Sequence, residues 1–284
     1  MTIKKFVQRK ITLSWLNFLS FARDMGTKCT NHVYSEALIF FAVSEKQSKS
    51  NATMSLVELC RDGDLERVKL ALQRGVDVNT KDKNGRTGLM QAVRNNHNSV
   101  VELLLNKPNI DLNFKSGRGN CALLQAVHSK NNEGLRLLLE VPTIDANIVN
   151  NNGWSAVHVA VDSKNNEALK LLLKVPTIDV NIVNDGGESA VHRAVIHNNI
   201  EGLKMLLRAR QPSLTALTLN QKDNRYGATP LMRAVRLICS SMGQMELLFA
   251  DLRVDLDTTD QEGRSLEEVA RWNFLVAILF NSQH

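Results

Sequence analysis

The strongest constraint on this chain is an internal repeat. A glycine is followed seven residues later by an alanine six times, with glycine spacings of 34, 34, 34, 40 and 36 residues: Gly85/Ala92, Gly119/Ala126, Gly153/Ala160, Gly187/Ala194, Gly227/Ala234 and Gly263/Ala270. Residues 141–161 and 175–195 agree at 16 of 21 positions. Self-similarity at such a period is typical of small units that stack on one another. We therefore expect a linear array of units, each touching its neighbours, instead of a single globule.

Each unit reads as two short helices. Thr or Ser stands two residues after the glycine in most copies, and its hydroxyl can cap the first helix. Asn or Lys follows where that helix must end in a left-handed turn. A Leu-rich run then predicts a second helix, and a D-V-N-like segment closes the unit. We expect the paired leucines of that run to line the core: Leu103, Leu104, Leu137, Leu138, Leu171, Leu172, Leu206 and Leu207.

This pattern resembles the ankyrin repeat family, whose units read roughly G-x-T-P-L-H-x-A-A, then L-L-L, then D-V-N. Residues 229–231 match the T-P-L motif closely, and 155–158 and 189–192 match it more loosely. The tetratricopeptide repeat shares the period of 34, but its W-x-x-L-G-x-x-Y signature is absent. The resemblance covers about residues 55–280 and implies an all-α solenoid. It would hold about seven stacked helix pairs joined by hairpin-like loops, at approximately 55–82, 83–115, 116–149, 150–183, 184–223, 224–260 and 261–281.

Composition narrows the function classes. The net charge is +6, but residues 1–50 hold eight basic and three acidic side chains, so the repeats are nearly neutral and no nucleic-acid binding is expected. Four cysteines without a CxxC spacing favour reduced thiols in the cytoplasm, with a nuclear location as the alternative. No Ser/His/Asp set, phosphate loop or HExxH motif occurs, so we expect no enzyme, no cofactor and no metal. The resemblance gives His158 and His192 a structural role, bonding between repeats.

The chain is expected to divide into an N-terminal extension, residues 1–50, and an ankyrin repeat domain, residues 51–284. Several interpretations of the extension stay open: a secretory signal, a mitochondrial presequence, or residues 1–24 as an amphipathic peptide for a membrane or a partner. The fourth is a poorly ordered segment, or a sequence preceding a true start at Met54, and we expect this one. Two insertions, near 211–220 and 238–243, are expected to be surface loops.

The two most similar units differ mainly beside the glycine and on the outward side of the first helix. In an ankyrin solenoid those positions line the concave groove, so they are the candidate partner-binding residues: Arg86, Gln91, Arg94, Arg118, Gln125, His128, Trp154, Val159, Asp162, Glu188, Arg193, Ile196, Tyr226, Arg233 and Arg236. Trp154 is the expected anchor, because Trp, Tyr and Arg dominate interface energetics. Three arginines, Arg193, Arg233 and Arg236, predict a basic end suited to an acidic patch on the partner.

The sequence therefore predicts a monomeric protein-interaction module or scaffold that binds another protein in its groove. One alternative is a substrate adaptor for a larger assembly such as a ubiquitin ligase, although such adaptors usually carry a C-terminal box that the last residues do not provide. The other is a scaffold tethered to a membrane or organelle through residues 1–24. The resemblance also makes Asn113, Asn147 and Asn181 candidate sites of asparaginyl hydroxylation.

Overall fold

A computed structural model of the chain describes residues 54–209, 219–237, 242–251 and 253–271. The predictions for residues 1–50, including those for 1–24, lie outside these residues. So do the predictions for most of the insertion at 211–220 and for 238–241 of the second one. The chain divides into two units between Met54 and Ser55, and the helices described here belong to the second unit.

The described chain consists of short helices that follow one another in pairs. The pairs are α1 (Leu56–Asp62) with α2 (Leu65–Gln73), α3 (Gly88–Arg94) with α4 (Asn98–Leu105), α5 (Ala122–His128) with α6 (Asn132–Leu139), α7 (Ala156–Asp162) with α8 (Asn166–Leu172), α9 (Ala190–Ile196) with α10 (Ile200–Arg208), and α11 (Pro230–Arg236) with α12 (Met242–Phe249). Residues 266–271 are also helical.

Successive pairs stack with like helices in contact. The first helices α1, α3, α5, α7, α9 and α11 touch in that order, and so do the second helices α2, α4, α6, α8, α10 and α12. The loops before α3 and α9, and the loop at 259–265, each close on a single β-bridge. Within the described ranges there is no strand beyond such bridges. The predicted all-α solenoid of stacked helix pairs is confirmed.

Most of the first helices begin at a hydroxyl side chain, as predicted, whereas α5 begins after Cys121, which forms no capping bond. The Oγ of Ser155 accepts a hydrogen bond from the backbone amide of His158, which satisfies an amide that the helix itself cannot pair. Thr87, Ser189 and Thr229 cap their helices in the same way.

The first helices also end as the sequence predicts. Asn96, Lys130, Lys164 and Asn198 have φ values of 60°, 57°, 51° and 49°, in the left-handed region. The next residue is the N-cap of the second helix in all four cases, a histidine after Asn96 and an asparagine after the other three, so the chain reverses within a few residues. Asn131, Asn165 and Asn199 cap the second helices through their side-chain oxygens, a feature that the sequence analysis missed.

The core prediction was half right. Leu104, Leu138, Leu172 and Leu206 are fully buried, whereas the leucines beside them, Leu103, Leu137, Leu171 and Leu207, are only half-buried. Adjacent residues on a helix point about 100° apart, so two neighbouring leucines cannot both face the same core. The second core position instead lies three residues earlier, at Val101, Leu135, Leu169 and Leu203.

An asparagine at the same place in four of the units links its unit to the next. The side-chain amide of Asn113 donates to the carbonyl of Thr143 at 3.0 Å, and its oxygen accepts from the backbone amide of Asp145 at 2.9 Å. The same two bonds recur at Asn79 (to Asn109 and Asp111), Asn147 (to Thr177 and Asp179) and Asn220 (to Arg253 and Asp255). We call this row the asparagine ladder, and it fixes the register between units.

Candidate functional site

The predicted partner-binding residues lie on one surface. It is formed by the solvent-facing sides of the first helices and by the hairpin loops that precede them, and we call it the inner surface. Its loops are held to one another by backbone bonds: the amide of Gly117 donates to the carbonyl of Asn84 at 3.1 Å, and that of Asp185 donates to the carbonyl of Asn152 at 3.1 Å. Side chains on this surface are therefore presented by a backbone that each neighbouring unit steadies.

Burial sorts the candidate residues into three groups. The exposed side chains are Arg94, Arg118 and His128. Most of the others are half-buried: Arg86, Gln125, Trp154, Val159, Asp162, Glu188, Arg193, Ile196, Tyr226, Arg233 and Arg236. Gln91 is buried, at 6% exposure.

Gln91 has a structural role, and its part in partner binding stays a prediction. Its Nε2 donates to the carboxylate of Asp82 at 3.0 Å, so the side chain is used inside its own unit and does not point freely at a partner. Asp82 also accepts hydrogen bonds from the backbone amides of Asn84 and Arg86, both at 2.8 Å. Gln91 thus supports the hairpin loop that carries Arg86.

Arg193 lies between two carboxylates and an aromatic ring. Its Nη2 pairs with Asp162 on α7, and its Nη1 lies 3.1 Å from Glu188. The guanidinium carbon stands 4.7 Å from the centroid of the Trp154 ring, within the range of a cation–π contact. Trp154 therefore packs against the next unit of its own chain, and its role as a partner anchor stays a prediction.

A second cluster surrounds Tyr226. The guanidinium carbons of Arg233 and Arg236 lie 4.8 and 4.9 Å from its ring centroid. Arg233 Nε is 3.4 Å from the buried carboxylate of Asp223, and Arg236 Nη2 is 2.7 Å from that of Asp260. Burial tends to raise the pKa of Asp260, but hydrogen bonds from Arg264 and Arg236 outweigh it and lower the pKa. The carboxylate therefore stays ionised and holds Arg236 in place.

These contacts bear on the predicted basic end of the groove, whose binding of a partner stays a prediction. Arg193, Arg233 and Arg236 each have a carboxylate of this chain within 4.0 Å, so their positive charge is compensated locally. The geometry therefore gives no support to an acidic partner patch at this end of the inner surface.

The N-terminal end of the inner surface carries two adjoining depressions. The first, of about 710 Å³, lies between α1 and the loop before α3, and is lined among others by Glu58, Arg61, Asp82, Arg86 and Arg94. The second, of about 440 Å³, lies between the hairpin loops on either side of Met90 and reaches Arg118 and Gln125. Lys83, Asn84 and Arg86 line both depressions, so the two form one continuous hollow.

The sequence analysis missed several residues of this hollow, notably Glu58, Arg61, Lys83, Asn84 and Asn95. Lys83 and Asn84 stand just before Gly85 in the hairpin loop, so the repeat pattern could have indicated them as surface residues. Glu58 and Arg61 lie on α1, in a unit that lacks the glycine turn and so could not be aligned with the others.

Two buried histidines connect neighbouring units, as predicted. Nε2 of His158 donates to the carbonyl of Glu188 at 3.0 Å, and Nε2 of His192 donates to that of Ala228 at 3.1 Å. In each case Nδ1 faces the capping serine, so the neutral ring is used on both sides. Burial lowers the pKa of both rings, to about 4 for His192.

The three asparagines considered for hydroxylation belong to the asparagine ladder or to its equivalent position. Asn113 and Asn147 use both ends of the side chain to hold the following unit. The backbone amide of Asn181 donates to Asp179 at 2.9 Å. Their structural role accounts for the residue type, and hydroxylation stays a prediction.

The described residues contain no metal site and no membrane-spanning helix. No group of three or more His, Cys, Asp or Glu side chains there could hold a metal ion. Over the same residues, no helix is long and apolar enough to cross a membrane.

Comparison with known proteins defines the family. A model described as "Ankyrin repeats (3 copies)" matches residues 56–150 and 123–216, which together exceed half of the chain. The chain belongs to the ankyrin repeat family.

Two particular proteins are similar to it. The ankyrin repeat domain of Bcl-3, described as a unique member of the IkappaB protein family, has a TM-score of 0.67 at 24% sequence identity, covering 77% of this chain and 94% of that domain. At this identity the likeness shows the fold alone. The human mitochondrial disaggregase is 42% identical over 59 residues, which are 21% of this chain and 8% of that protein's length. Ankyrin repeat domains are a general protein-interaction fold.

Proposed function

We propose that this chain is a protein-interaction module that binds a partner polypeptide along its inner surface. The observation that supports this most directly is the contrast between constant and variable positions. The bonds that hold units together recur at equivalent residues, as in the asparagine ladder. The solvent-facing residues of the first helices change from unit to unit, for example Gln125, Val159 and Arg193.

The stability of the stacked units does not require these solvent-facing residues to differ from unit to unit. Val159 and Ile196 are half-buried apolar side chains on the inner surface, and the equivalent positions one unit earlier carry the polar residues Gln125 and Asp162. A standard interface buries about 800 Å² per partner, more than a single pair of seven-residue helices offers but within reach of several adjacent units. The module is proposed to act as a cytoplasmic monomer that places its partner against the row of first helices.

The experiment is affinity capture with mass spectrometry, using the full chain as bait. The inner variant carries Val159→Arg and Ile196→Arg, and the control carries Lys170→Glu and Lys174→Glu at exposed positions on and just after α8. We expect the inner variant to lose partners that the wild type and the control both retain. Circular dichroism melts confirm that all three proteins are folded. Identical partner sets for all three would contradict binding on the inner surface.

The two alternative functions have no observation in their favour among the described residues. A membrane or organelle tether would depend on residues 1–24, and it makes its own prediction. Residues 1–50 fused to a fluorescent protein should give a diffuse cytosolic signal if the module is untethered. A mitochondrial or punctate signal would support the tether instead.

A further inference from the structure

The positive charges of the inner surface are paired with carboxylates at one end and lack such partners at the other. Towards the C-terminal units, the arginines are paired with carboxylates of the chain, as described above for Arg193, Arg233 and Arg236. At the N-terminal hollow the pattern differs. No acidic oxygen of the described chain lies within the ion-pair distance of 4.0 Å from four cations there: Lys83, Arg86, Arg94 and Arg118.

The acids that line the hollow are occupied by other donors. Asp82 accepts from the amides of Asn84 and Arg86 and from the side chain of Gln91. Glu58 accepts from the backbone amide of Ser55 at 2.8 Å and completes the cap of α1. Both carboxylates keep their full negative charge but form no close ion pair with these cations, and the two acids are outnumbered by the four cations.

The four cations belong to one continuous hollow. Lys83 and Arg86 line both depressions, Arg94 lines the first and Arg118 the second. Amide side chains lie among them: Asn84 in both depressions, Asn95 in the first, and Asn120 and Gln125 in the second. We call this hollow, with its four cations, the basic groove. Arginine guanidinium groups bind carboxylates through two parallel hydrogen bonds, and side-chain amides can bond to a peptide backbone.

We propose that the basic groove binds an acidic segment of the partner protein, a stretch rich in Asp and Glu that runs past the hairpin loops of the second and third units. This rests on the proposed function and adds the chemistry of the segment that is bound. The charge compensation elsewhere on the inner surface limits electrostatic attraction to this end. The partner's acidic segment would therefore set the direction in which it lies along the array.

The chain's own ends do not match this groove. Residues 1–50 carry eight basic and three acidic side chains, so they would be repelled by it. Residues 272–284 contain no Asp or Glu. Nucleic acid is a less suitable ligand, because four cations are few for binding a phosphate backbone. The aromatic ring nearest in sequence, Phe114, is covered by the Lys81 ammonium at 3.8 Å and so is not free to stack on a base.

The test is selection from a random peptide library displayed on phage, with the full chain immobilised. Wild type is compared with Arg86→Glu/Arg118→Glu and with the control Lys170→Glu/Lys174→Glu, which changes the net charge by the same amount on the second-helix side. We expect wild type and the control to enrich peptides with clustered Asp and Glu, and the groove variant to lose that enrichment. Circular dichroism establishes that each variant is folded.

The enriched peptide is then synthesised with a fluorescent label and measured by anisotropy. The affinity of the wild-type protein for the peptide should fall at least tenfold when the peptide's Asp and Glu are replaced by Asn and Gln. The groove variant should bind the original peptide at least tenfold more weakly. The affinity of the wild-type protein for the original peptide should also decrease as the salt concentration is raised. A labelled single-stranded oligonucleotide serves as the competing anion and should bind more weakly.

The outcomes separate the two proposals. Enrichment of peptides without an acidic bias, lost on the Val159→Arg/Ile196→Arg variant, would overturn the acidic segment and leave the interaction module standing. Tighter binding of the oligonucleotide than of the peptide would also overturn it. A selection that enriches no peptide on the wild type, together with partner sets unchanged by inner-surface substitutions, would count against both.

Discussion

Acidification should destabilise the repeat domain through His192. The ring is fully buried between α9 and the following unit, and burial there lowers its pKa to about 4 from an ordinary 6.5. The bond to the carbonyl of Ala228 and the charges of Asp223 and Glu188 act in the opposite direction but are smaller. Between pH 6.5 and 4 the unfolded chain therefore takes up a proton that the folded chain refuses, and stability falls as the pH is lowered.

The magnitude follows from the two pKa values. One pH unit corresponds to about 1.4 kcal/mol, so the folded state should lose about 2 kcal/mol at pH 5 and about 3 kcal/mol near pH 4. Above pH 6.5 the ring is neutral in both states and the effect disappears. Since domains of this size are stable by about 5–15 kcal/mol, the loss is a large fraction of the total.

The assay is urea unfolding followed by circular dichroism at pH 7.5 and pH 5.0. The variant His192→Gln keeps an amide donor for Ala228 but cannot titrate, and His128→Gln replaces an exposed histidine at the end of α5. Other groups, including His158, titrate equally in all three proteins and cancel in the comparison. Wild type and His128→Gln should each lose about 2 kcal/mol more between the two pH values than His192→Gln does. Equal losses in wild type and His192→Gln would refute the reasoning.

Two further predictions concern the backbone and the links between units. Gly153→Ala should cost about 2–3 kcal/mol, because the residue has φ of 73° and a Cβ would lie 2.8 Å from the backbone nitrogen of Asp185. Gly263→Ala, at φ 77° with no atom within 4 Å of the added Cβ, should cost only about 1 kcal/mol. Thermal melts of both variants measure the two losses, and equal losses would exclude the inter-unit contact as the cause. Asn147→Ala should cost about 2 kcal/mol in urea unfolding, because it removes two inter-unit bonds, whereas the exposed Asn152→Ala should cost less than about 0.5 kcal/mol. A loss at Asn147 no larger than that at Asn152 would show that the ladder does not stabilise the array.

The sequence predicted the repeat architecture because the local signals recur in step. Ser155 and Ser189 stand where a cap is needed, and Asn96 and Lys130 stand where a left-handed residue is needed. Local requirements of this kind depend only on residues a few positions apart. Six copies then reinforce one another, so a weak signal in one unit is recognised from the others.

The candidate site was harder to predict, because its contacts join different units. Arg193 meets Asp162, 31 residues earlier, and Arg236 meets Asp260, 24 residues later. Reading each unit alone showed three arginines and suggested excess positive charge. The carboxylates that neutralise them become visible only when neighbouring units are placed side by side. Three of the four cations of the basic groove were predicted one unit at a time, but the hollow that α1 and two hairpin loops form around them was not.

The asparagine ladder has a consequence for how such an array can change its length. Each ladder residue holds the unit that follows it, through a carbonyl and an amide found at a fixed offset of 30 and 32 residues for Asn79, Asn113 and Asn147. Excising a whole repeat between equivalent positions would bring together an asparagine and a carbonyl that already match. A gene encoding this chain could thus lose or duplicate one module and still produce a correctly joined rod, with only the choice of ligand altered.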